Sequence, residues 1–176
     1  MQLTPVMEKF ILHWGEMGTK WGISRSVAQI HALLYVTGKP LPADEIAVLL
    51  EIARSNVSMS IKELQGWGIV RTVHVLGDRR DHFETMKSVW EMFMIVLDER
   101  KRREVDPTLD VLRDCIAAAK ADGKASAMEA ERLEELSEFF ETMSRWYTQV
   151  RRIPMPVLMR LAKMGDKVAQ FAGKSL

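Results

Sequence analysis

One cysteine, Cys115, stands in the 176-residue chain, which excludes an intrachain disulfide framework and a cysteine-rich zinc site. The four histidines, His13, His31, His74 and His82, show no metal-ligand spacing among themselves or with Cys115, so no metal and no cofactor are expected. No apolar run approaches the roughly 18 residues that a membrane span needs. The first ten residues carry Glu8 and Lys9 where a secretory leader would be apolar. These absences predict a soluble, cytoplasmic protein. Paired catalytic carboxylates, a Cys–His pair and a glycine-rich phosphate loop are also missing, which argues against an enzyme. Charge of one sign is lacking too. The chain has 25 Lys and Arg against 24 Asp and Glu, a formal net charge of +1.

What is present is ordinary globular material: 47% apolar and 28% charged residues. A chain of this size buries about two-thirds of its unfolded surface and needs no staple to fold. Thr4-Pro5 is a helix start, with Thr4 as cap and Pro5 in the first turn. Met7, Phe10, Ile11, Trp14 and Met17 follow at helical spacing, and Gly18 and Gly22 are expected to end that helix. Ser24 caps a second helix, with Val27, Ile30, Leu33 and Leu34 on one face and Gly38 and Pro40 after it. Pro42-Ala43-Asp44-Glu45 opens a third, with Ile46, Leu49 and Leu50 inward and acids suited to its dipole.

After a break at Glu51-Ile52-Ala53, residues 54–66 read as a fourth helix that buries Val57, Ile61 and Leu64. Residues 69–75 are rich in β-branched side chains and read as a strand, and residues 82–85 as its return strand across a polar turn. From about residue 87 the chain reads as helix throughout. Asp106-Pro107 is expected to break and restart it, and Cys115 reads as a small core residue. Ser126-Ala127-Met128-Glu129 is a capping box. The helix it opens carries Leu133, Leu136, Phe140, Met143, Tyr147 and Val150 as a heptad-like seam. Pro154 and Pro156 end it, and a last helix from about 157 carries Val157, Leu161, Met164, Val168 and Phe171.

A helix of about 8 residues, a three-residue turn and a helix of about 13 have the proportions of a helix-turn-helix, with the hairpin behind them as a wing. In such a module the N-terminal part of the second helix reaches base edges in the major groove. Arg54, Ser55, Asn56, Ser58, Met59 and Lys62 are left for that task once Val57, Ile61 and Leu64 face the core. Asn pairs with adenine, Arg with guanine, Ser with base or phosphate, and Met59 with a thymine methyl. This face has Ser and Asn where an ordinary surface helix has Glu and Lys. At the wing tip, Arg79 and Arg80 suit the minor groove or a phosphate, and the neighbouring Asp78 and Asp81 can orient a guanidinium.

The stretch Ala53-Arg54-Ser55-Asn56-Val57-Ser58, through Leu64-Gln65-Gly66-Trp67-Gly68, resembles the winged helix-turn-helix of MarR-type transcription factors. More narrowly, Arg-Ser-Asn-Val-Ser followed by Leu-x-x-Trp-Gly is similar to the GbsR branch of that family. Gly77-Asp78-Arg79-Arg80-Asp81-His82-Phe83-Glu84, Val89-Trp90-Glu91 and Arg102-Arg103-Glu104-Val105-Asp106-Pro107 fit the same branch. The resemblance spans roughly residues 5–110 and departs from the pattern twice. Glu51 stands at a turn position often held by Gly, where φ > 0 is strained, and Ala53 replaces a capping Ser.

The resemblance implies a mainly α fold with a small β-hairpin wing and a C-terminal helical dimerisation region. Residues 1–22 would form an N-terminal helix contributing to dimerisation, 23–86 the DNA-binding domain, and 87–176 a helical linker and dimerisation region. It implies a homodimer acting on double-stranded DNA at a palindromic operator, usually as a repressor. It also implies a small-molecule effector, for the GbsR branch a quaternary ammonium compound, which wants an aromatic cage. Trp14, Trp21, Trp90, Phe93, Trp146 and Tyr147 are the candidate walls. The alternative function is a winged-helix adaptor that binds protein, but Arg54, Asn56 and Arg80 disfavour it.

The net charge of +1 conceals segregation. Residues 52–82 have a net charge of +2, residues 121–141 of −5 and residues 142–176 of +6, so near-neutrality does not argue against a DNA partner.

Overall fold

The computed structural model describes residues 1–122 and 127–164. The chain divides after Ile95 into two units.

In the first unit, α1 (Pro5–Lys20) starts as expected, with Thr4 Oγ1 accepting from the Met7 N–H at 3.3 Å. It does not end at Gly18. A Cβ at Gly18 would lie 2.4 Å from the Cβ of Ala28, and one at Gly15 2.7 Å from Cγ of Gln29. Both glycines are therefore a contact face that lets α1 lie closely along α2 (Arg25–Thr37), not helix breakers. Ser24 caps α2 and Gly38, at φ +61°, closes it in the left-handed conformation that glycine adopts without steric cost. Val27, Ala28, Ile30, Ala32, Leu33 and Leu34 are all buried, which makes α2 the central element of this unit. Each large aliphatic side chain among them contributes about 1.5–3 kcal/mol by leaving water.

The chain then forms β1 (Leu41–Pro42), α3 (Ala43–Leu50), α4 (Arg54–Gly66), β2 (Val70–Val73) and β3 (His82–Thr85). Ile46 of α3 and Val57, Ile61 and Leu64 of α4 are buried, as their spacing predicts. The sheet has three antiparallel strands in the order β1-β3-β2, with Arg71 opposite Glu84 and Val73 opposite His82. No pattern in the sequence predicts β1, because a two-residue strand has no period to detect. α5 (Val89–Arg100) crosses the division between the units.

In the second unit the helix does not break at Asp106-Pro107. Residues Lys101–Val105 form a π-helical turn in which the Asp106 N–H donates to the carbonyl of Lys101, and α6 (Asp106–Asp122) continues from it. The wider turn shifts the hydrogen-bond register, so Pro107, which has no N–H to give, is carried without an interruption. α6 packs on α7 (Ala127–Arg151), and Leu109 and Leu112 are buried. Ion pairs Arg113–Glu141 and Lys120–Glu134 run in opposite residue order along the two helices, so these are antiparallel. Cys115 is exposed rather than in the core, because the inward stripe passes from Leu112 to Ile116 and leaves it outside.

α8 (Met155–Met164) begins two residues before its expected start, with Pro156 tolerated in its first turn. Ser126 of the capping box, with Val168 and Phe171 of the last stripe, lies outside the described residues. Among the described residues no helix is long and apolar enough to cross a membrane, and no group of His, Cys, Asp and Glu could hold a metal.

Candidate nucleic-acid interface

The helix-turn-helix is α3, a turn at Glu51–Ala53, and α4. Glu51 does adopt the left-handed conformation, at φ +53° and ψ +40°, and is the one non-glycine residue with positive φ among those described. Ala53 is the N-cap of α4 and provides no side-chain bond to the first turn. Both features are costs at the turn before α4. Burial of Val57, Ile61 and Leu64 holds the helix instead.

The outward face of α4 carries Arg54, Ser55, Ser58, Met59 and Lys62, all exposed, with Met59 at 66%. A large apolar side chain this open, beside two hydroxyls and two cations, suits a surface offering both apolar and acceptor groups, such as a major groove. Asn56 differs from the rest of the set. It is half-buried, and its Nδ2 donates to Ser26 Oγ on α2 at 2.9 Å. Its amide ties the second helix of the motif to the central helix. Gln65 Nε2 similarly donates to Thr72 Oγ1 at 2.9 Å and ties the end of α4 to β2.

At the wing the two arginines separate. Arg79 is exposed and has no ion pair or hydrogen bond among the described residues. Arg80 is held twice. Its Nε and Nη2 donate to Asp78 at 3.0 and 2.5 Å, and its Nη1 donates to Asp44 Oδ2 at 2.7 Å. Asp44 lies in the first turn of α3, so this guanidinium straps the wing to the helix-turn-helix. Hydrogen bonds from Arg80 hold both carboxyl groups below the usual carboxylate range, and the pair in turn raises the guanidinium. His82 Nδ1 donates to the Arg80 carbonyl at 2.9 Å, and its Nε2 lies 3.4 Å from Asp78. Asp78 orients an arginine, as the turn sequence predicts. From the sequence alone Asp44 suits only the dipole of α3. It is 36 residues from Arg80, and no periodicity links the two.

The candidate effector walls fall into separate groups. In the first unit, Trp14 meets Trp21 edge-on at 5.7 Å, and Phe10, His31 and Tyr35 extend the ring cluster. Trp90 is half-buried and Phe93 exposed on α5. In the second unit, Trp146 and Tyr147 line a groove against the π-helical turn.

The model of the MarR family matches residues 21–81, the stretch from the end of α1 to the wing tip. No curated protein matches the chain. A solved structure described as the crystal structure of a transcriptional regulator is similar in fold. It is 20% identical, with a TM-score of 0.64, and the similarity covers 90% of this chain and 99% of that one.

Proposed function

We propose that this chain is a sequence-specific DNA-binding transcriptional regulator, working as a homodimer that represses from a palindromic operator and responds to a small molecule. It has no catalytic step. The observation that carries the reading is the exposed face of α4, with Arg54, Ser55, Ser58, Met59 and Lys62, beside a wing whose Arg79 is open and whose Arg80 is strapped down. The family match over the same residues supports it. α4 enters the major groove, where Arg54 and the serines meet base edges or phosphate and Met59 meets a thymine methyl. Asn56 acts as a strut between α4 and α2, and Arg79 reaches the minor groove or its phosphates.

Homodimerisation is supported by apolar side chains left open on the C-terminal helices, among them Leu136, Met143, Val157 and Leu161. A two-fold pair of recognition helices about 34 Å apart reads half-sites one helical turn apart, hence the palindrome. The finer placement in the GbsR branch rests on the motifs Arg54–Ser58 and Leu64–Gly68.

A gel shift with the DNA upstream of the chain's own gene tests the proposal. Specific binding is expected, with affinity falling by about 10³–10⁵ between 50 and 200 mM salt if 6–10 phosphates are contacted. No binding to any operator-like fragment at low salt overturns it.

A further inference from the structure

The corner between α1 and α2 carries two cations that the fold leaves unused. Lys20 is the last residue of α1 and Arg25 the first of α2. Both are exposed, and among the described residues neither side chain has an ion pair or a hydrogen bond. From Met17 to Ala43 the chain has no acidic residue. Glu16, the nearest acid before the corner, lies one helical turn back from Lys20 and is exposed, and among the described residues it pairs with neither cation. We propose that Lys20 and Arg25 grip the DNA phosphate backbone beside the groove that receives α4, so that the corner joins α4 and the wing as a further DNA-facing element. This contact presupposes that the exposed face of α4 docks on DNA.

Position is the first support. The bond from Asn56 Nδ2 to Ser26 Oγ, at 2.9 Å, joins the third residue of α4 to the second residue of α2. The two helices therefore begin side by side. Arg25 stands one residue before Ser26, a Cα step of about 3.8 Å. A helix whose first turn enters a major groove about 12 Å wide has a row of phosphates on either side of it. Side chains at the neighbouring start of α2 meet that row rather than base edges. Arg54, the first residue of α4, is exposed at the same end, so the positive sign is continuous from one helix start to the other.

Rigidity is the second. The N–H groups of Trp21 and Ile23 both donate to the Gly18 carbonyl, at 3.0 and 2.9 Å, and the Gly22 N–H donates to the Thr19 carbonyl at 3.1 Å. The edge-on contact of Trp21 with Trp14 fastens the same corner to α1. The stem of Arg25 lies along α1, where a Cβ at Gly15 would stand 3.2 Å from its Cγ. An arginine with a packed stem and a hydrated head has less side-chain entropy to lose when it meets a phosphate.

Fluorescence anisotropy of the full chain with an operator fragment, and with an unrelated duplex of the same length, tests this across 50 to 200 mM salt. Lys20→Gln and Arg25→Gln should each lower the salt slope by about one unit, and the double variant by about two. Each single variant should weaken both duplexes by the same factor, roughly tenfold at 50 mM salt, because a phosphate contact carries no sequence information. Arg25→Lys should keep the slope. Unchanged urea midpoints check folding, and sedimentation checks self-association. If the unaltered chain binds its operator and both Gln variants keep the slope, the corner does not touch DNA, and the reading of α4 still stands. A loss confined to the operator also overturns the phosphate contact. So does a change in self-association, because the corner would then face a second copy of the chain. Failure of the unaltered chain to bind any duplex overturns both readings.

Discussion

His31 on α2 is buried with its Nε2 meeting no hydrogen-bond partner, flanked by the rings of Trp14 and Tyr35 at centroid distances of 6.4 and 6.2 Å. Burial lowers its pKa from 6.5 to about 4. A histidine whose folded pKa is depressed is neutral in the fold and must be charged there at a cost. Its contribution is thus fully present above pH 6.5 and is lost progressively as pH falls toward 4. A shift of 6.5 to about 4, at 1.36 kcal/mol per unit, sets a ceiling of about 3.4 kcal/mol. Linkage gives a loss of about 2 kcal/mol on going from pH 7 to pH 5.

His31→Leu is close in volume and does not titrate. Urea unfolding followed by tryptophan fluorescence, at pH 7 and pH 5, compares it with the unaltered chain. The unaltered chain should lose about 2 kcal/mol more than the variant over that interval. Other titrating groups are common to both proteins and cancel in the difference. Parallel pH profiles for the two proteins would refute the argument, since they would mean that His31 reaches solvent or a partner when charged.

The strap and the open arginine make different predictions at the wing. Arg79→Ala should weaken operator binding and lower the salt slope by about one unit in a gel-shift series, as loss of one phosphate contact does. Arg80→Ala and Asp44→Ala should each weaken operator binding, and the double variant should do no worse than either alone; additive losses would show that Arg80 contacts DNA independently of Asp44. Asn56→Ala and Ser26→Ala should each cost about 1 kcal/mol of stability in urea melts, with a non-additive double variant. At the turn, Glu51→Gly relieves about 1–2 kcal/mol of left-handed strain and loses about 0.5–1 kcal/mol to unfolded-chain entropy, so a net gain of up to about 1.5 kcal/mol is expected. Ala53→Ser should add about 1 kcal/mol by capping α4, read as a raised urea midpoint at constant slope.

The elements legible in the sequence are those whose cause is local. α2, α3, α4 and β3 match their expected limits closely because capping, apolar period and β-branching act within a few residues. The misreadings share a different cause. Gly18 reads as a stop by propensity, and only Ala28, ten positions away, turns it into a packing contact. Asp106-Pro107 reads as a break because an α-helix cannot carry that proline, whereas the π-helical turn before it can. β1 exists only because β3 returns beside it. In each case the deciding partner is distant in sequence or belongs to a rarer helical geometry.

The same distinction divides the proposed interface. Composition and spacing point to a set of residues on α4 and the wing, but within that set they treat Asn56 like Ser58 and Arg80 like Arg79. The structure separates these pairs by long-range contacts. Ser26 draws Asn56 inward across 30 residues, and Asp44 holds Arg80 across 36. A side chain already committed to a partner of its own protein has to break that contact before it can meet DNA, so in the proposed interface the uncommitted neighbours, Ser58 and Arg79, are better placed to do so. The committed ones fix the geometry on which that reading depends. A short helix-turn-helix with a strained Glu51 and an uncapped Ala53 has little local stability of its own. Its geometry in the proposed interface is held by these two struts and by the buried face of α4.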